Sequence, residues 1–121
     1  MKVKIDTKEK MHVITIEEEE LTANMTEQLI QQANSFLDTP IQNVILIFSK
    51  VKKISLESLN SLLSMQQSFY NAEHSMVFCE FQKNIENMVH EHHLEDIMNV
   101  TPSESEAWDM VQMEEIEREL F

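Results

Sequence analysis

Glycine is absent from this chain of 121 residues. The phosphate-binding loops of Rossmann and P-loop proteins need glycines, because only a backbone without a Cβ approaches phosphate oxygens closely enough. Neither loop is therefore present in its usual form. Hairpin turns of the Asn-Gly and Asp-Gly types are excluded as well. Helices must end on Asn, on His or in 3₁₀ turns where a left-handed glycine would ordinarily stand.

Cysteine is nearly absent too, since Cys79 is the only one. No disulfide can form within the chain, which predicts a reducing, cytoplasmic environment. Cys79 lies in the apolar segment Ser75–Phe81, and nothing near it in sequence would stabilise a thiolate, so we expect a buried and inert thiol. The N-terminus alternates Lys with apolar residues and lacks the apolar core of a signal peptide. No apolar run approaches the ~18 residues of a membrane span.

Basic residues are few: nine Lys and Arg stand against 22 Asp and Glu, for a net charge of −13. Nucleic acids and anionic membrane surfaces require basic patches, so both are disfavoured as partners. The charge favours a partner with a basic surface instead. An acidic run, Glu17–Glu20, follows one predicted strand; it is interpreted as a solvated loop, with a docking patch for a basic partner as the alternative.

Residues 42–63 are the most informative segment that is present. The apolar run Val44–Phe48 does not alternate with polar residues, which predicts a strand buried on both faces. A short, mostly polar turn follows at Ser49–Lys53, and Ile54–Leu59 then leads into a helical pattern. In α/β folds, sites gather where the chain leaves the carboxyl end of a strand, so this turn is the first place to expect function.

The rest of the pattern predicts one α/β domain over residues 1–121. Strands that alternate with helices imply parallel neighbours joined by crossover helices. Side chains suited to capping suggest helix starts at Asn24 with Glu27, at Asn84, and at Thr101. The predicted strands are residues 3–5, 11–17, 44–48, 75–81 and 97–100, and the predicted helices are residues 22–38, 58–71, 84–92 and the segment from 101 onward.

The segment Ile54–Leu59, Ile-Ser-Leu-Glu-Ser-Leu, resembles the motif Ile-Asp-Ser-Ser-Gly-Leu of the STAS domain, the fold of bacterial anti-sigma factor antagonists. The two ends of the motif agree. Ser55 stands where the family has Asp, Glu57 where it has the phosphorylated Ser, and Ser58 where it has Gly. Ile47 stands where the preceding strand often carries Asp. The resemblance covers nearly the whole chain and implies a mixed four- to five-stranded sheet with four helices mainly on one face.

The resemblance also implies a function. It suggests a non-catalytic interaction module in bacterial signalling and transcription regulation, which binds an anti-sigma kinase or another regulatory protein and needs no cofactor or metal. The alternative is a STAS-like accessory subunit of a lipid or anion transport system; an enzyme has little support. The loop Glu18–Asn24 should lie near the binding surface. We expect that surface to contain Ser49, Lys50, Lys53, Ser55, Leu56, Glu57, Ser58 and Asn60.

Glu57 is open to two interpretations. A carboxylate at a helix N-terminus is stabilised by the helix dipole by ~0.3–1 kcal/mol, which alone explains a Glu there. Alternatively, Glu57 places one fixed negative charge where a phosphoserine would bring about −1.5 to −2. It would then be a weak, permanent mimic of the phosphorylated state. In either case position 57 cannot be phosphorylated.

Two further patterns leave alternatives open. Glu86, His90 and His93 have the spacing of one helix face, which suits a metal ion, although histidines near a helix C-terminus are explained by the dipole. Beyond Ala107 the last helix carries a second apolar spacing at Met113, Ile116 and Leu120. This is either the edge of a long helix or a face for self-association as a homodimer. Trp108 is expected to be partly exposed.

Overall fold

The computed structural model describes residues 1–120, and its secondary structure follows the predicted alternation of strands and helices. The strands are β1 (Val3–Thr7), β2 (Met11–Ile16), β3 (Glu20–Leu21), β4 (Asn43–Ile47), β5 (Lys53–Ile54), β6 (Met76–Cys79) and β7 (Val100–Thr101). The helices are α1 (Ala23–Ser35), extended by a 3₁₀ turn at Phe36–Asp38, α2 (Leu56–Asn71), α3 (Lys83–Glu91) and α4 (Glu104–Leu120).

The main sheet has five strands in the order β1-β2-β4-β6-β7. Strands β1 and β2 form an antiparallel hairpin, and all other neighbours in this sheet are parallel. Strand β4 is central, and all five of its residues are buried, including Ile45 and Ile47 at 0% and 6% exposure. This confirms the strand predicted from the unbroken apolar run. Full burial of such side chains contributes about 1.5–3 kcal/mol each before chain entropy is counted.

Helices cover both faces of the sheet, three on one side and one on the other. Because successive strand residues point to opposite faces, Leu46 of β4 packs with the cluster that includes Leu29 of α1, Leu59 of α2 and Ile85 of α3. Ile45 packs instead with Ala107 and Val111 of α4. The predicted α/β fold, with helices mainly on one face of a mixed sheet, is confirmed.

The last strand is shorter than predicted, and the reason lies in α2. The expected strand begins at Ile97, but that residue is 51% exposed and the strand starts at Val100. The Gln66 amide satisfies the backbone there: its Nε2 donates to the Ile97 carbonyl at 3.0 Å, and its Oε1 accepts from the Asn99 N–H at 2.8 Å. The Ile97 carbonyl and the Asn99 N–H are therefore hydrogen-bonded without a neighbouring strand, and β7 begins only after them.

The helix starts differ from the predicted capping residues. Thr22, not Asn24, caps α1 and accepts a hydrogen bond from the Met25 N–H. Helix α4 begins after Ser103, whose Oγ accepts from the Glu106 N–H at 3.3 Å. Thr101 belongs to β7 and is paired with the sheet, so it is not available as a helix cap.

Helices α3 and α2 each differ from expectation at one residue, Asn84 in α3 and Tyr70 in α2. Helix α3 follows Gln82, whereas Asn84 lies inside the helix and uses its side chain elsewhere. Tyr70 has the spacing of the apolar residues of α2, which would place it on their side of the helix, but it is 63% exposed. It lies in the last turn of that helix, beyond the buried Phe69.

Helices α2 and α3 each end with a residue in the left-handed backbone conformation, a position that glycine usually occupies. After α2, Glu73 has a φ of 67°, and the His74 N–H donates back to the Phe69 carbonyl at 2.9 Å. After α3, His93 has a φ of 56°, and the Leu94 N–H donates to the Val89 carbonyl at 2.9 Å. Both are Schellman endings with a non-glycine residue in the left-handed region. The predicted use of His at a helix end is confirmed for α3, whereas Glu73 after α2 is outside the predicted set of Asn, His and 3₁₀ turns.

Candidate functional site

The segment after β4 forms a tight turn at the carboxyl edge of the parallel strands. The Val51 N–H donates to the Phe48 carbonyl at 2.9 Å and closes the turn. Val51 is fully buried, whereas Ser49 and Lys50 are exposed. One apolar side chain therefore anchors the turn in the core and leaves its polar residues facing solvent.

The loop after β2 holds this turn from one side. Strand β5 pairs in parallel with β3, so that Lys53 lies opposite Glu20 and Ile54 opposite Leu21. The N–H groups of Lys52 and Lys53 also donate to the Glu19 carbonyl, at 2.7 and 3.0 Å. The expected proximity of the loop Glu18–Asn24 to the turn is therefore present in the structure.

The start of α3 holds the turn from the other side. The Gln82 Nε2 donates to the Ser49 carbonyl at 2.9 Å, and the Asn84 Nδ2 donates to the Lys52 carbonyl at 2.8 Å. Two backbone carbonyls of an exposed loop thus have fixed partners. The turn is consequently fastened to both of its neighbours.

Charges around the turn are largely paired. Lys50 lies 3.7 Å from Glu17, Lys52 lies 3.3 Å from Glu19, and Lys53 lies 3.9 Å from Glu20. All three lysines are well exposed, so each pair contributes little to stability, about 0–1 kcal/mol. The acidic run is predicted to be a solvated loop; its residues are indeed solvent-accessible to differing degrees, and they also offset the positive charge of the turn.

Helix α2 begins directly after β5. Ser55 is its N-cap, and its Oγ accepts from the Ser58 N–H at 3.0 Å. Glu57 is in the first turn and exposed, as predicted, where the unpaired N–H groups of the helix favour a carboxylate. Nothing in the described part of the chain forms an ion pair with Glu57, so its charge faces solvent.

A groove separates the first turns of α1 and α2 next to Glu57. It has a volume of about 240 Å³ and is lined by Ala23, Thr26, Glu27, Ile30, Glu57, Ser58 and Ser61. Carboxylates of two different helices therefore line one groove. This arrangement could not be read from the sequence, because Glu27 and Glu57 come together only when the two helices pack.

The structure places six of the eight predicted binding residues on one exposed surface, and Ser58 and Leu56 are the two exceptions. Ser58 is only 3% exposed, because it lies on the inward side of α2, so it is not part of the exposed set although it lines the groove beside Glu57. Leu56 is half-buried and packs against the core. The exposed set, which we call the turn surface, consists of Ser49, Lys50, Lys53, Ser55, Glu57 and Asn60.

The residues that position this surface were not predicted from the sequence. Glu19, Gln82 and Asn84 contact the turn through hydrogen bonds that join residues 32–34 positions apart. Asn84 is predicted as a helix cap, and the structure corrects that role. No local pattern distinguishes a capping Asn from one that bonds to a distant carbonyl.

The spacing of Glu86, His90 and His93 does not produce a shared helix face. Helix α3 ends at Glu91, and His93 lies past it in the left-handed region. His90 is instead 3.3 Å from Glu95. Within residues 1–120, no group of three His, Cys, Asp or Glu side chains is arranged to hold a metal ion.

Cys79 is fully buried in β6. Burial, and then the charges of Glu80 and Glu104, raise the pKa of its thiol to about 12. The thiol is therefore protonated at neutral pH, which matches the inert residue predicted from the sequence. A nucleophilic role for Cys79 has no physical basis in this environment.

None of the helices within residues 1–120 combines the length and the apolar character that crossing a bilayer requires.

Comparison with known proteins places this geometry in a family. The family model described as the STAS domain matches residues 2–107. No curated protein sequence matches the chain significantly.

Solved structures share the fold at low sequence identity. A Thermotoga maritima protein described as an anti-sigma factor antagonist superimposes with a TM-score of 0.76 at 17% identity, over 91% of this chain and 94% of that one. The phosphorylated Bacillus cell fate determinant SpoIIAA gives 0.67 at 14% identity, over 91% of this chain and 99% of that one. The murine anion transporter Slc26a9 gives 0.68 at 14% identity, over 85% of this chain but 18% of the transporter.

Proposed function

The chain belongs to the STAS domain family, and from this premise we propose that it is a non-catalytic interaction module of the anti-sigma factor antagonist kind. It binds a regulatory protein such as an anti-sigma kinase in the bacterial cytoplasm and takes part in transcription regulation. The turn surface and the adjoining groove form the contact. Glu57 replaces the phosphorylatable serine, so the module is not switched at this position.

The observation that carries this proposal is the placement of Glu57. Its carboxylate is exposed in the first turn of α2, beside the groove. The turn that precedes this helix is held in place by both neighbouring segments. Such preorganisation lowers the entropy lost on binding. A partner that docks here meets a fixed negative charge.

Replacement of the serine also changes what a kinase can reach. Of the two serines that flank Glu57, Ser58 is buried, and the Ser55 Oγ is engaged as the helix cap. A carboxylate carries about half the charge of a phosphate and one oxygen fewer. The fixed charge therefore weakens the binding of a phosphate-sensitive partner only partly, and it does so permanently.

The test is the affinity of Glu57→Ala for the anti-sigma kinase encoded in the same genome, measured by calorimetry. We expect binding at least three-fold tighter than that of the wild type, because the repulsive charge is gone. Glu91→Ala is the matched control: it removes one exposed carboxylate at the far end of α3 and should leave the affinity unchanged. If the affinity of Glu57→Ala equals that of the wild type, Glu57 does not act as a mimic of phosphate, and only its interaction with the helix dipole remains.

A second variant separates the partner from the switch. Glu57→Ser provides an exposed hydroxyl at the position of the family's acceptor, and phosphate transfer from the kinase and ATP is followed by mass spectrometry. Phosphorylation of the introduced hydroxyl would show that the kinase recognises the turn surface. If the kinase neither binds the wild type nor modifies this variant, it is not the partner.

A carrier role is the second candidate, and one apolar groove favours it. The groove has a volume of about 260 Å³ and lies between α3 and β7, with Phe81, Val89, Val100 and Pro102 among its lining residues. The likeness of the fold to a domain of an anion transporter is compatible with an accessory subunit. Organic extraction of the purified protein followed by mass spectrometry tests this role, since a carrier would release a stoichiometric lipid.

A further inference from the structure

The outer face of α4 carries an apolar stripe with no partner within the described chain. Met113, Ile116 and Leu120 are 60%, 55% and 71% exposed. Their spacing of three and four residues places them in one row along the helix. Seven large apolar side chains are exposed among residues 1–120, and three of the seven are in this row.

The stripe points away from the sheet. Ala107 and Val111 form the inner face of α4, are fully buried, and pack against the sheet face formed by residues such as Ile45 and Val77. At 100° per residue, the row from Met113 to Leu120 lies on the opposite side of the helix. Contact with its own sheet therefore satisfies only one of the two apolar faces of α4.

Acidic residues border the stripe. Helix α4 contains seven Asp and Glu residues and a single basic residue, Arg118. Arg118 is turned inward and donates to the Ser75 Oγ at 3.1 Å. Of the helix's acidic residues, only Glu115 forms an ion pair within the described chain, with Lys10 at 3.9 Å. Glu117 on one flank of the stripe and Glu119 on the other keep uncompensated charges.

We propose that the outer face of α4 docks an amphipathic helix of a partner protein whose apolar row is flanked by Lys or Arg. The apolar rows bury each other, and the basic flanks pair with Glu117 and Glu119. A second copy of this chain fits poorly, because it would bring like carboxylates together along both edges of the contact. Since α1 and α2 lie on the other face of the sheet, this docking leaves the turn surface free. The proposal does not depend on the function proposed for that surface.

The probes are three synthetic 18-residue peptides. The first is helical, with leucines in one row and lysines on both flanks. The second has the same composition in scrambled order, and the third replaces the lysines with glutamates. At 150 mM salt we expect the first to bind at least ten-fold more tightly than either of the others. Amide NMR shifts should concentrate in residues 109–120. If the scrambled peptide binds as tightly as the first, the attraction depends only on the net charge of the peptide, and the proposal is wrong.

Variants locate the contact. Met113→Gln combined with Ile116→Gln changes only exposed side chains and should weaken binding of the first peptide at least ten-fold. Tyr70→Gln combined with Ile97→Gln, which removes exposed apolar groups elsewhere, should leave it unchanged. Sedimentation of the protein alone should give a monomer. A dimer that the Met113 and Ile116 substitutions abolish would assign the stripe to self-association and overturn the proposal.

Discussion

Glu57 combines two effects that act on different measurements. Its interaction with the helix N-terminus stabilises the folded chain by about 0.3–1 kcal/mol. Its charge toward solvent would act on the proposed partner. Because the side chain is exposed and forms no ion pair within residues 1–120, the stability cost of Glu57→Ala stays within the first effect. A tighter complex from a slightly less stable protein is therefore the combination that identifies a mimic of phosphate.

Cys79 should make stability fall at alkaline pH. The folded-state pKa of its thiol is about 12, whereas an exposed thiol titrates near 8.5–9. Unfolding therefore releases a proton between these two values, so the contribution is complete below about pH 8.5 and is lost as pH rises toward 12. We expect the free energy of unfolding in urea to decline more steeply across pH 8.5–10.5 in the wild type than in Cys79→Ala. Parallel slopes in the two proteins would contradict this assignment.

The Schellman ending of α3 places a non-glycine residue in the left-handed region, which disfavours a side chain by about 1–2 kcal/mol. His93→Gly relieves this cost, although the greater entropy of glycine in the unfolded chain offsets part of the gain. We expect a net stabilisation of about 0.5 kcal/mol in urea unfolding. Glu91→Gly, two residues earlier at the last position of the helix, is the control and should destabilise by up to about 1 kcal/mol. A loss of stability in His93→Gly would argue against the positive φ.

The fastening of the turn to α3 is open to a direct test. Asn84→Ala leaves the Lys52 carbonyl without its side-chain donor and should cost about 0.5–1.5 kcal/mol. Hydrogen exchange of the amides in residues 49–53 should accelerate, because the turn then has one support fewer. Asn87→Ala removes an exposed amide from the same helix, where it makes no hydrogen bond within the described chain, and should change neither measurement. Equal exchange in both variants would mean that the loop after β2 and Gln82 hold the turn without help from Asn84.

Elements differed in how far their sequence specified them. Strand β4 was predictable because five consecutive apolar residues need burial on both faces. Helix α2 was predictable because its apolar spacing continues for four turns. Strands β3 and β5 were not predicted, since two residues are too short to show any period. Their pairing depends on the packing of the loops around the buried Leu21 and Ile54.

In the candidate site, too, some features were predictable from local sequence and others depended on how the helices pack. Exposure of Glu57 followed from the order of strand, turn and helix. The burial of Ser58 did not, because it depends on which side of α2 meets α1. More than one Ser, Thr or Asn residue lies within three positions of the starts of α1, α2 and α4, and each is a plausible cap. Only the finished backbone decides between Thr22 and Asn24, or between Thr101 and Ser103.

The net charge of −13 governs how the whole molecule responds to salt. Screening weakens the self-repulsion of the folded chain, and it also weakens the exposed ion pairs around the turn. Because each of those pairs contributes little, repulsion should dominate. We expect the melting temperature to rise between 20 and 300 mM NaCl, with roughly 4 °C for every 1 kcal/mol of added stability. KCl should act equally, since screening depends on ionic strength. A falling melting temperature would show that the ion pairs dominate.

The edges of the main sheet bear on how the protein behaves at high concentration. Strand β1 borders the sheet on one side with nearly all of its residues exposed, and Lys2, Lys4, Asp6 and Lys8 place a charge at every second position along it. A strand from another molecule that hydrogen-bonded there would have to desolvate these charges. At the other edge of the sheet, β7 has only two residues with which a strand from another molecule could pair. Sheets with such borders resist edge-to-edge growth into polymers. The chain should therefore stay dispersed in a crowded cell, although its strands are rich in the apolar residues from which fibrils are built.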